Sequence, residues 1–140
     1  MFDIITLWDV LEHIREPVQY LANLQSRLRP GGVVFVQIPS SDSLASRIMR
    51  GSCNMYDGIE HLTLFSQKSL DLAFKKAGYE LLGRHTVISE MYALNNYLQY
   101  QVDPYAGAES LRELENLFTP ESIESAGMGY KIQALYRSSQ

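Results

Sequence analysis

Chemistry-bearing side chains concentrate in two short stretches of this chain. One is Trp8-Asp9-Val10-Leu11-Glu12-His13, where two carboxylates, an imidazole and an indole directly follow an apolar run. The other is Glu60-His61, at the end of a segment broken by Gly51, Asn54, Asp57 and Gly58. Imidazole titrates near neutral pH, so His61 can take a proton from a hydroxyl at physiological pH. His85 stands within a predicted strand and reads as structural or exposed. Cys53 is the only cysteine and has no histidine beside it, so it reads as a plain thiol. A lone cysteine also excludes an internal disulfide and a cysteine-based zinc site.

These residues need elements to hold them in place. Phe2-Asp3-Ile4-Ile5-Thr6-Leu7-Trp8 is short, apolar and rich in β-formers, the pattern of a buried strand. Pro17 suits the first position of a helix. Val18, Leu21, Leu24 and Leu28 then recur at helical spacing with one buried stripe, and Pro30-Gly31-Gly32 is expected to end that helix. Val33 to Ile38 is a second apolar strand, broken by Pro39-Ser40-Ser41. Strand, helix and strand in this order make a βαβ unit with parallel strands and a right-handed crossover. Ligands bind beyond the carboxyl ends of such strands. The Trp8–His13 and Pro39–Ser41 loops are therefore expected to open onto one crevice.

The rest of the chain predicts a short helix over 43–50 and a longer one capped by Ser66 and closed by Gly78. A strand over 79–89 with a bend at Gly83 follows. Helical patterns over 91–101 and 108–118 come next, around Tyr92, Tyr97, Tyr100 and Tyr105, which read as packing. A turn at Gly127-Met128-Gly129 leads into a last alternating strand from Tyr130 to Tyr136. With 140 residues, 46% of them hydrophobic and 20% charged, the chain is expected to form a single domain over 1–140. Its net charge of −4 and lack of a basic stripe argue against a nucleic-acid partner. No apolar run approaches the ~18 residues of a membrane span, and no basic-then-apolar leader is visible. The expectation is a cytoplasmic domain with no membrane partner.

The segment Phe2 to His13, the Pro-started helix, and Leu28-Arg29-Pro30-Gly31-Gly32 before an apolar strand resemble a class I S-adenosylmethionine-dependent methyltransferase. Glu60-His61-Leu62-Thr63-Leu64-Phe65-Ser66 and Ala77-Gly78-Tyr79 are similar to the small-molecule, ubiquinone-biosynthesis-like branch of that family. The resemblance implies an α/β fold with a mixed sheet of about four strands and flanking helices, part of a Rossmann-like methyltransferase fold. It also implies S-adenosylmethionine as cofactor, with Trp8, Asp9, Val10 and Glu12 on the cofactor side. His13 would bound the substrate side, and His61 would be the candidate base for a small-molecule acceptor. In that branch an acid-x-x-Glu-His pattern can hold a divalent ion, which here would be Asp9, Glu12 and His13. No metal is assigned to them at this point.

The family's Gly-rich turn after its first strand, and the acidic residue that binds ribose after its second, have no counterpart in this chain. Its strands correspond to the fourth to seventh of a sheet ordered 3-2-1-4-5-7-6. The chain is thus expected to be the C-terminal half of a catalytic domain, binding the cofactor weakly or not at all alone. Its first strand would then be an open apolar edge. That predicts a homo-oligomer, such as a dimer, or a complementing N-terminal half as partner. The alternative is a non-catalytic half-domain that dimerises or docks on a partner through the same strand.

Overall fold

In a computed structural model of the chain, residues 1–56, 58–88 and 119–139 are described. The strands are β1 (Phe2–Trp8), β2 (Leu28–Pro39), β3 (Tyr79–Val87) and β4 (Lys131–Ser138). The helices are α1 (Pro17–Gln25), α2 (Leu44–Met49), α3 (Gln67–Lys76) and α4 (Pro120–Ser125). One sheet runs in the order β1-β2-β4-β3. β1 and β2 pair parallel, while β4 is antiparallel to both β2 and β3. This is the expected mixed four-stranded sheet with flanking helices. The helices expected over 91–101 and 108–118, with Tyr92, Tyr97, Tyr100 and Tyr105, lie outside the described residues.

Alternation places one face of every strand against α1 and α3. Val34, Val36 and Ile38 of β2 and Ile132, Ala134 and Tyr136 of β4 are buried there with Leu21, Leu70 and Phe74. Phe74 stacks on Tyr136 and meets Tyr79 edge-on at 5.5 Å. The Tyr79 hydroxyl donates to the Leu21 carbonyl at 2.9 Å, tying β3 to α1. Ser66 caps α3 through a reciprocal bond with Ser69. Gly78 follows α3 at φ +84°, where a side chain would be strained.

Three expectations need correction. The first helix stops at Gln25, and Pro30-Gly31-Gly32 lies inside the opening of β2. Pro30 cannot donate to a ladder and Gly31 sits at φ +72°, so the pairing is interrupted between Phe2↔Leu28 and Ile4↔Val33. The motif bends a strand entry rather than capping a helix. Second, the stretch expected as a loop over Trp8–His13 contains a 3₁₀ turn, Leu11–His13, with Leu11 and Glu12 both buried. Third, the buried-strand pattern of Phe2–Trp8 does not hold: β1 stands at the edge of the sheet, in line with the open edge also expected, with most of its surface open. Leu7 is buried, but Phe2, Ile4 and Trp8 remain 61%, 53% and 55% exposed.

Phe2, Ile4, Thr6 and Trp8 fall on the sheet face opposite α1 and α3. In register with Ile4, Thr6 and Trp8 are Val33, Phe35 and Gln37, and beyond these Arg137, Leu135 and Gln133. The Trp8 and Phe35 rings lie 4.9 Å apart there. A shallow groove of about 400 Å³ runs along this face past Phe35, Arg84, His85, Gln133 and Leu135. Among the described residues no helix is long and apolar enough to cross a membrane.

Candidate functional site

The parallel pairing brings the carboxyl ends of β1 and β2 side by side. Asp9 continues the ladder by donating its amide to the Gln37 carbonyl at 2.9 Å. It then turns the chain at φ +50°, a left-handed conformation that Asp tolerates better than most residues. Its carboxylate meets Lys131 at the start of β4, with Oδ1 2.7 Å from Nζ. Among the described residues the other oxygen accepts a long 3.4 Å bond from Gln37 Nε2, and Gln133 Nε2 donates to Gln37 Oε1 at 2.7 Å. A polar row, Asp9–Gln37–Gln133 with Lys131, thus borders the exposed Trp8 indole.

One residue further on, the chain builds a second cluster. Val10 packs half-buried on the main core, and the 3₁₀ turn carries Glu12 inside. The Glu12 carbonyl accepts from the amides of both Leu62 and Thr63, at 2.9 and 3.0 Å. That clamp draws the 60–63 segment onto the turn. His13 Nδ1 bonds the Glu60 carbonyl at 2.8 Å, and His61 Nδ1 bonds the Met55 carbonyl at 3.0 Å. The two imidazoles stack with centroids 5.1 Å apart. Glu12, His13 and His61 bring their ligating atoms within 4.8 Å of one another.

The Glu12 carboxylate is 3% exposed, and among the described residues neither of its oxygens has a hydrogen-bond partner. Burial pushes its carboxyl above the usual carboxylate range, with the Asp9 charge adding to the rise. Its own amide and the two nearby imidazoles offset part of that shift. Cys53 is buried in the small cluster of Ala45, Met49, Met55 and Tyr130, and burial raises its thiol.

The sequence candidates therefore fall into two groups. Trp8 is exposed and Asp9 partly exposed at the carboxyl end of β1, whereas Val10 is half-buried and Glu12 buried. His13 and His61, 48 positions apart in the chain, form one pair. The trio Asp9, Glu12 and His13 is not brought together as a ligand set, because Asp9 is paired with Lys131. His85 is exposed on β3, in register with Gln133. Sequence reasoning passed over Gln37, Lys131 and Gln133. Their signal was polar residues on one face of otherwise apolar strands: Gln37 alone in Val33–Ile38, and Lys131 and Gln133 alternating with Ile132 and Ala134.

A family profile described as a methyltransferase domain matches residues 1–83. No curated protein matches the chain. The chain is similar in fold to a SAM-dependent methyltransferase from Thermotoga maritima, with 16% identity and a TM-score of 0.64, over 98% of this chain and 56% of that one. It is similar to a SAM-dependent methyltransferase from Archaeoglobus fulgidus, with 16% identity and a TM-score of 0.58, over 98% and 59% of the two chains. A third likeness is to the complex between a Haloferax volcanii methyltransferase activator and a methyltransferase, with 12% identity and a TM-score of 0.62, over 99% and 54%. The chain spans little more than half the length of these structures.

Proposed function

The chain belongs to the methyltransferase-domain family, and from that premise we propose that it forms the C-terminal half of an S-adenosylmethionine-dependent methyltransferase acting on a small molecule. The observation that carries this reading is the side-by-side placement of the carboxyl ends of parallel β1 and β2, next to an exposed indole and a carboxylate with acceptor capacity to spare. The residues present fit one wall of an adenosine-bearing cofactor. Trp8 offers a flat apolar surface, and the weakly engaged Asp9 Oδ2 can accept from a hydroxyl. Val10 and Glu12 support that wall from behind.

S-adenosylmethionine would supply a sulfonium-borne methyl group, taken by the acceptor in line as the neutral thioether leaves. Alignment of the acceptor carries much of such a step. The His61–His13 pair is the candidate for holding the acceptor's proton. With Nδ1–H engaged by a carbonyl, a neutral ring presents Nε2 as its basic atom. The missing wall would come from a complementing N-terminal half or from a second copy of the chain. The complex with an activator among the structural neighbours supports a partnered arrangement.

Calorimetric titration of S-adenosylhomocysteine, with the solution mass measured alongside, tests this reading. The expected result is a self-associating chain that binds more weakly than about 100 μM, near −5.5 kcal/mol. A monomer that binds more tightly would overturn the half-site reading. A second reading, a non-catalytic half-domain that docks through β1, is favoured by the exposure of Phe2, Ile4 and Trp8. It predicts association with no cofactor binding at any concentration.

A further inference from the structure

The sheet face opposite α1 and α3 is open and largely apolar. On it Phe2, Ile4 and Trp8 of β1 keep more than half of their surface in solvent, and Leu82 of β3 is 40% exposed. Register lays Thr6, Phe35, Leu135 and Gly83 in one row across its middle. On one side the row Gln37, Gln133 and His85 borders it, and on the other stand Arg137 and Glu80. An apolar centre framed by polar residues is the anatomy of a protein interface. A parallel strand pair is ordinarily covered on both faces, and an open apolar patch of this extent marks an interaction site.

The relief of the face is uneven. The β1 margin is a ridge formed by Phe2, Ile4 and Trp8. The β3 margin is hollow: the groove of about 400 Å³ runs there past Phe35, Leu82 and Leu135. Gly83 leaves the groove floor without a side chain, and nothing lies within 4 Å of where a Cβ would stand. The order β1-β2-β4-β3 puts ridge and hollow at opposite margins of one sheet. A two-fold axis along the strands, between β2 and β4, therefore lays the ridge of each copy over the hollow of the other. The face is self-complementary, as an isologous interface requires.

We propose that this face stacks on the same face of a second copy of the chain, closing a two-fold sheet sandwich. At about 4.8 Å between strands and 3.3 Å per residue, a face four strands wide and seven residues long spans roughly 450 Å² in plan. Side-chain relief adds to that, so two faces bury at least about 900 Å², close to the ~1,000 Å² that a specific interface has to clear. The area suits a dimer that forms and parts with concentration.

This surface is distinct from the hydrogen-bonding edge of β1. That edge carries Asp3, whose side chain is 77% exposed and ion-paired with Arg29 at 2.8 Å, and the ladder is interrupted beside it. Charge on an edge strand discourages the addition of a further strand. Edge pairing would also leave Phe35, Leu82 and Leu135 in water, whereas face stacking covers them. The Ile4 side chain belongs to the face and to the edge strand alike, so positions on β4 and β3 are needed to separate the two arrangements. The proposal does not depend on methyl transfer.

Sedimentation equilibrium of the 140-residue chain, with L135K, L82K and L72K beside wild type, is the test. Wild type and L72K, whose change is on α3 away from this face, should associate equally. L135K and L82K should each weaken association at least about tenfold. Should L135K fail to fold, L82K carries the test, because Leu82 already stands partly in solvent. Amide NMR of wild type over a dilution series is an independent readout. Signals of Phe35, Leu82, Gly83 and Leu135 should move with concentration. A monomeric wild type, which would leave the face to a different chain, overturns the proposal. So does association kept by both L135K and L82K, an equal loss in L72K, or dilution shifts confined to β1.

Discussion

Substitution of Ile4 by Lys tests the open edge most sharply. Ile4 is in the middle of β1 and 53% exposed, with the edge of the sheet beyond it. Fully burying a side chain of this size stabilises by roughly 1.5–3 kcal/mol, so covering the exposed half is worth about 1 kcal/mol. A symmetric pair of edges covers the position twice, for about 2 kcal/mol. At 1.4 kcal/mol per tenfold, I4K should weaken self-association roughly 30-fold, before any cost of bringing two ammonium groups together. The fold itself should lose about 1 kcal/mol or less, because the lysine stem keeps part of the apolar contact. Leu72 on α3 is a matched control: it is 52% exposed on a different surface. Sedimentation equilibrium of wild type, I4K and L72K is the assay, with melting curves to confirm folding. The expected order is association in wild type and L72K and its loss in I4K. A wild-type chain that is monomeric throughout, or an equal fall in both variants, would refute the reasoning.

Other consequences concern the core and the turns. Phe74→Ala removes a fully buried ring that contacts Tyr136 and Tyr79, and should cost about 3–5 kcal/mol in urea unfolding. Phe74→Leu should cost clearly less. At Gly129 an added Cβ would lie 2.7 Å from the Val87 amide nitrogen, so Gly129→Ala should cost about 1–3 kcal/mol. Gly31→Ala, with open space around it, should cost only the roughly 1–2 kcal/mol of its left-handed backbone. Equal losses at the two glycines would contradict this. Burial pushes the Tyr79 hydroxyl up to about 12 and the Tyr136 hydroxyl higher still. A raised folded-state value means that the unfolded chain loses these protons first, so their contribution is whole below pH ~10 and falls as pH climbs above it. Absorbance at 295 nm should therefore show a tyrosinate step that coincides with loss of far-ultraviolet dichroism. Complete ionisation with the dichroism intact would contradict the burial.

The elements were legible because the evidence for each is local, while their order in the sheet came only from the resemblance. The run from Phe2 to Trp8, Pro17 at a helix start, Ser66 and Gly78 around α3, and the alternation from Lys131 onward each announce their element within a few residues. Pro30-Gly31-Gly32 misled because the same residues can close a helix or bend a strand entry, and only pairing with Phe2 decides between the two. That Trp8 and Asp9 end a strand parallel to its neighbour was legible from the strand-helix-strand pattern. The partner of Asp9 was not, since Lys131 reaches it through a strand 122 positions away. Nor was the pairing of His13 with His61, which rests on the Glu12 carbonyl accepting two amides from a distant segment. Periodicity reports which face a residue takes, but not which distant loop will be clamped beside it.

Trp8 is the only tryptophan, so its indole N–H gives a single, assignable NMR signal at the proposed cofactor wall. Titrating S-adenosylhomocysteine to millimolar levels while following that signal, together with the Asp9 and Val10 amides, is the most direct test of the central claim. The account predicts fast-exchange shifts at these three positions, with a dissociation constant above about 100 μM. No shift at Trp8, or shifts confined to residues away from the carboxyl ends of β1 and β2, would contradict it.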